Sequence, residues 1–192
     1  DFYRRILINA VKIGDINCLS LVNSTTAAAV TYVKTHPDRL PPKEAHPVPI
    51  MIIDMGNYSM SVAIALVKKD YVRIVSYAYD QTLGGILFTQ ELIPYLLDRT
   101  MRKYKIDPRE APRAWIRFQE AAEKLKKTLS INPVVPFEVQ TLMNDIDVNF
   151  LVKREDFNQR ISSLIECLPV PIEQALKAAN IKKEDLFAIE AL

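Results

Sequence analysis

Glu123, Lys126, Lys127 and Ser130 stand at i, i+3, i+4 and i+7 and so share one face of a helix predicted over Pro112 to Leu129. A carboxylate placed there can accept both hydroxyls of a ribose. A long basic stem can lie flat on a purine ring, and a serine can bond a ring nitrogen. The set would make a nucleoside pocket, although the same residues also describe a solvated face with a Glu–Lys pair. Trp115, Phe118, Ala122, Leu125 and Leu129 form a separate apolar stripe, predicted to face a core.

The second constellation is Asp54-Met55-Gly56-Asn57-Tyr58-Ser59, set between two apolar runs. A carboxylate ending a buried strand can hold magnesium-bound water, and the N–H groups of a tight turn can cradle phosphate oxygens. An Asp-x-Gly turn between strands is equally the sequence of a plain hairpin. Tyr58 also crowds a position where phosphate loops carry glycine. No other grouping competes. His36 and His46 lie in a proline-rich stretch without cysteine or carboxylate at zinc-ligand spacing. No Ser, His and Asp set suggests acyl transfer, and Asp145 and Asp147 read as hairpin-turn residues.

The elements that must position these groups alternate in type. Helical spacing runs from Arg4 to Ile13 and stops at Gly14. Cys18 to Val22 reads as a short strand, and Ser24 or Thr25 as the cap of a second helix. His36 to Pro49, with five prolines, reads as a surface loop. Strands are predicted at Ile50 to Asp54, Ser59 to Lys68 and Tyr71 to Tyr79, the last two joined at Lys69-Asp70 into a meander. After Gly84-Gly85 the texture becomes helical: Phe88 to Tyr104, Pro112 to Leu129, Arg154 to Cys167 and Ile172 to Ala179. A hairpin around Asn144-Asp145 interrupts it, and Phe187 to Leu192 reads as a last strand. The pattern is an α/β layer, a mostly helical insertion and a return to the first layer.

The 192 residues are 49% hydrophobic and 25% charged, with a net charge of +2. That balance suits a globular domain and gives no basic, aromatic-interleaved groove, so no nucleic-acid partner is expected. No apolar run approaches the ~20 residues of a membrane span. Cys18 and Cys167, isolated among apolar neighbours, predict small buried thiols in a reducing compartment, the cytoplasm. The first residues, Asp1-Phe2-Tyr3, and the last, Ile189 to Leu192, have the texture of cuts inside a larger protein.

Several segments together resemble the heat-shock protein 70 superfamily. Asn23 to Ala29 is similar to its Asn-Glu-Pro-Thr-Ala-Ala-Ala, and Asp54 to Ser59 to its second phosphate motif, Asp-Leu-Gly-Gly-Gly-Thr. Leu83-Gly84-Gly85 resembles its Leu-Gly-Gly, and Glu123 to Ser130 its adenosine-binding helix. Glu123-Lys124-Leu125-Lys126-Lys127, Met143 to Val148 and Lys103 to Asp107 resemble the large 110-kDa class. The resemblance implies an actin-like (ribonuclease H-like) ATPase lobe. Residues 1–84 and 158–192 would form its α/β core (IIA-type), and residues 85–157 an inserted, mostly helical α+β subdomain (IIB-type). It implies ATP or ADP with magnesium as cofactor. Asp54 would be the magnesium-side acid, acting through water, and Gly56, Asn57, Tyr58 and Ser59 the phosphate turn. Glu123 would hold the ribose and Lys127 and Ser130 the adenine, with Lys126 alongside.

Departures from the family pattern shape the expected activity. Ser24 stands where the hydrolysing chaperones have glutamate, and Asn57 and Tyr58 replace phosphate-cradling glycines. The family's first phosphate motif and catalytic lysine would lie in the other lobe, outside this sequence. The resemblance therefore implies a nucleotide-binding lobe of a large stress-response chaperone. Its expected role is nucleotide exchange factor and co-chaperone for a heat-shock protein 70, with unfolded polypeptide engaged by other regions and little hydrolysis by this segment. The alternative is an ATP-hydrolysing chaperone of the heat-shock protein 70 type.

Overall fold

A computed structural model describes residues 2–192. Two compact units emerge, one comprising the residues up to Asp54, Val62–Tyr77 and Ala175–Leu192, the other Met55–Ser61 and Ala78–Gln174. The helices are α1 (Phe2–Ile13), α2 (Ser24–Thr35), α3 (Gly85–Tyr104), α4 (Pro112–Leu129), α5 (Arg154–Cys167) and α6 (Pro169–Ala179). The strands are β1 (Val48–Met55), β2 (Met60–Lys68), β3 (Tyr71–Asp80), β4 (Val134–Met143), β5 (Ile146–Lys153) and β6 (Ala188–Ala191).

Four strands form one sheet in the order β3-β2-β1-β6. β6 runs parallel to β1, with Ile50 opposite Ala188 and Ile53 opposite Ala191. Connections of two and four residues join β2 to β3 and β1 to β2, which only antiparallel neighbours allow. Asp70 takes the left-handed conformation (φ 58°) in the two-residue connection Lys69-Asp70. β2 is buried along most of its length and reads as a continuous apolar run, as a central strand covered on both faces must. In the first unit Ala29, Tyr32 and Val33 of α2 pack with Ile50, Ile52, Ala65 and Val67 of the sheet.

The second unit is built around α4. Phe118, Ala122, Leu125 and Leu129 are buried against Leu92 and Leu96 of α3 and the inner face of the β4–β5 hairpin. The Phe118 and Phe137 rings meet edge to face at 5.1 Å. β4 and β5 alternate buried and exposed residues, the pattern of a sheet with one solvated face. Asn144 and Asp145 both have positive φ (52° and 57°), which fixes the two-residue hairpin turn and confirms Asp145 as a turn residue. Asp147, also expected in the turn, is instead the second residue of β5, and its carboxylate accepts the N–H of Thr141 at 2.5 Å, where the β4–β5 register shifts. Trp115, expected on the buried stripe, is half-buried and stacks on Phe118 with centroids 6.0 Å apart.

Four expectations need correction. Cys18 to Val22 is not a strand; Leu19 and Val22 are exposed, and no described strand pairs with the segment, without which an extended apolar run has no ladder. The cap of α2 is Asn23, in extended conformation, and Ser24 is the first helical residue. Cys18 and Cys167 are both exposed rather than buried. Finally, α3 begins at Gly85, three residues before the first strongly periodic position, because a tertiary contact stands in for the missing local signal.

Candidate functional site

That contact lies at the turn 56–59. The Gly56 N–H donates to the Ser59 carbonyl at 2.9 Å and closes the turn. The turn's own carbonyls then face α3: Gly85 N–H donates to Gly56 O at 3.0 Å and Ile86 N–H to Asn57 O at 2.8 Å. The first amides of a helix have no intrahelical acceptor, and here the turn supplies two. Gly84 permits the approach. A Cβ on it would lie 2.5 Å from the Tyr58 carbonyl carbon and 2.6 Å from both Asn57 O and Ser59 N. The N–H groups of Asn57 and Tyr58 have no acceptor among the described residues. Two successive free amides on a tight turn are suited to an anion. The Tyr58 ring stands exposed rather than filling the turn.

α4 reaches the same place from the other side. Lys126 Nζ donates to the Gly85 carbonyl at 2.8 Å and to Glu123 Oε2 at 2.7 Å. Thr89 Oγ1 donates to the same carboxylate oxygen. Glu123 Oε1 faces Lys127 Nζ at 3.4 Å, a looser contact that leaves its lone pairs usable. Burial raises the Glu123 carboxyl pKa; the hydrogen bonds from Lys126 and Thr89 and the charge of Lys126 outweigh it and hold the pKa below the usual carboxylate range. Glu123 is therefore an anion with one oxygen anchored and the other presented.

The two lysines differ sharply. The Lys126 side chain is 15% exposed and held by two protein acceptors, whereas that of Lys127 is 72% exposed. Ser130, at the C-terminal end of α4, is exposed and donates to the Lys127 carbonyl at 2.6 Å. The structure thus brings Glu123, Lys126 and Lys127 together and joins them to the turn through Gly85. Lys126 points into this junction rather than along a ligand face. Asp54 is half-buried near the end of β1. Thr89 was not legible in the sequence. It follows Gly85 by four residues and Glu123 lies 34 further on, so only the approach of α3 to α4 reveals it. Among the described residues no cluster of His, Cys, Asp or Glu could hold a metal ion by protein ligands alone. No described helix is long and apolar enough to cross a membrane.

Such a site can accept a vicinal diol at Glu123, lay a cation beside a flat ring at Lys127, and meet an anion at the 56–59 turn. Comparison with known proteins identifies the family. The family profile for the Hsp70 protein matches residues 1–192. A heat shock protein homolog of Lachancea kluyveri is 38% identical over 182 residues, 95% of this chain and 26% of that protein. Heat shock protein hsp88 of Neurospora crassa is 38% identical over 192 residues, 100% of the chain and 27% of that protein. Human heat shock 70 kDa protein 4L is 35% identical over 191 residues, covering 99% and 23% respectively. The chain spans about a quarter of the length of the curated relatives it matches. With the family matched from first residue to last, the chain belongs to the Hsp70 protein family, in its large 110-kDa class.

Proposed function

We propose that the chain contributes one wall of an ATP/ADP site in a larger cytoplasmic chaperone, which acts as nucleotide exchange factor and co-chaperone for a heat-shock protein 70. The observation that carries the nucleotide reading is the linkage of two halves of one site. The presented oxygen of Glu123 and the free amides of Asn57 and Tyr58 are tied together through Lys126 and Gly85. Glu123 accepts the ribose hydroxyls, and Lys127 and Ser130 lie beside the adenine. The turn from Gly56 to Ser59 receives phosphate oxygens, and Asp54 is the acid for magnesium-bound water. When bound, magnesium neutralises phosphate charge; the chain's residues bind and orient.

The exchange-factor reading draws its support from residues that weaken hydrolysis. Ser24 has no carboxylate to offer the magnesium site, and the Cβ-bearing Asn57 and Tyr58 restrict how closely the turn approaches phosphate. Residues 85–157, the inserted subdomain, form part of the contact with the partner chaperone. The full-length protein is expected to accelerate ADP release from a heat-shock protein 70 while its own hydrolysis stays near background. Robust turnover by the protein alone, with no effect on partner ADP release, would establish the ATP-hydrolysing alternative instead.

A further inference from the structure

We infer that Thr89 is a positioning residue for Glu123, and that its hydroxyl sets the preference of the site for a ribose over a deoxyribose. The inference rests on the ribose-binding reading of Glu123. Thr89 is 3% exposed, in the second turn of α3, where a hydroxyl must find a partner or bear the cost of desolvation. Its single proton has two acceptors in reach, the Gly85 carbonyl at a long 3.4 Å and the much closer Glu123 Oε2. The shorter, charge-assisted bond takes it. Lys126 donates to that same oxygen from α4.

A carboxylate held by one donor can swing about that contact. Held on Oε2 by donors from two helices, it has its plane fixed, and Oε1 is the oxygen that remains to accept a vicinal diol. Thr89 does not face the ligand itself; it acts through Glu123. Valine at position 89 keeps the branched shape and removes the proton donor, while serine keeps the donor.

The test is a binding measurement on the full-length protein and its variants, with ATP and 2′-deoxy-ATP titrated by calorimetry and folding checked by thermal unfolding. Wild type is expected to prefer ATP. Glu123→Gln is expected to abolish the preference, Thr89→Val to reduce it by about tenfold, the worth of one hydrogen bond to a charged group, and Thr89→Ser to restore it. If Thr89→Val does not fold, Thr89→Ala carries the same comparison. A Thr89→Val protein that keeps the full preference while Glu123→Gln loses it overturns the positioning role, as does failure of Thr89→Ser to restore it. Equal binding of both nucleotides by wild type, or an unchanged preference in Glu123→Gln, overturns the ribose reading itself.

Discussion

Lys126 Nζ donates to the carbonyl of Gly85 at 2.8 Å, a bond spanning 41 residues of sequence. The same ammonium holds Glu123, and Gly85 in turn donates its N–H to the turn carbonyl of Gly56. One cation therefore locks the α4 face to the first turn of α3 and, through it, to the 56–59 turn. Lys126→Met is expected to keep the buried stem but leave Glu123 half-buried without its main counter-charge. The loss should be about 2 kcal/mol, between the cost of an exposed and of a fully buried pair. Urea denaturation of wild type and variant checks it, and equal midpoints would show that the junction forms without Lys126.

Glu123 makes this stability pH-dependent, with a determined sign. Its folded pKa lies below the ordinary value, because the Lys126 and Thr89 hydrogen bonds outweigh the opposing effect of burial. The unfolded chain, near the ordinary value of about 4.3, therefore binds a proton first as the pH falls. The stabilisation from charged Glu123 is fully present above the unfolded pKa and disappears as the pH drops through the folded one. The stability gap between wild type and Glu123→Gln should stay constant from pH 7 to about pH 5.5 and narrow below about pH 4. A gap that widens on acidification would mean that Glu123 is held in its neutral form.

Gly84 is essential for a steric reason alone. Its φ of −152° is extended backbone that any residue adopts, but an added Cβ would fall within 2.6 Å of three backbone atoms of the 57–59 turn. Backbone on one side and a helix start on the other cannot both yield. Gly84→Ala is expected to cost more than about 3 kcal/mol, beyond ordinary overpacking. At Gly56 the same substitution meets only Ser59 O at 3.7 Å, and its effect should be far smaller. Chemical denaturation of the pair separates close approach from any general intolerance of side chains near the turn.

Much of this arrangement was legible because periodicity and turn chemistry agree with tertiary packing. α4 and α5 begin and end where their apolar spacing, Pro112 and Cys167 placed them. The Asn144-Asp145 hairpin was signalled by residues that tolerate positive φ. What escaped depended on partners distant in sequence. The first turn of α3 starts within the helix-breaking pair Gly84-Gly85 and is stabilised by the carbonyls of Gly56 and Asn57, far back in the chain. Cys18 to Val22 has strand composition but no pairing strand among the described residues. In the site, helical spacing gathered Glu123, Lys126 and Lys127 on one face but could not say that Lys126 turns inward to Gly85, or that Thr89 shares its load.

Lys127 completes the contrast. It differs from Lys126 by one position in α4 and by its surroundings entirely: its ammonium is exposed, and its ion pair is the 3.4 Å contact to Glu123 Oε1. An exposed pair of that length contributes little to folding, so Lys127→Ala should change stability by less than about 0.5 kcal/mol. Its stem and charge are nevertheless free to meet a base, an interaction worth about 1 kcal/mol or more once water is excluded. In the full-length protein Lys127→Ala is expected to weaken ATP binding roughly fivefold, whereas the principal effect of Lys126→Met falls on stability. Calorimetric titration alongside urea denaturation reads both quantities on the same samples. Unchanged ATP affinity in Lys127→Ala would remove this lysine from the base-binding face and leave only its loose contact with Glu123.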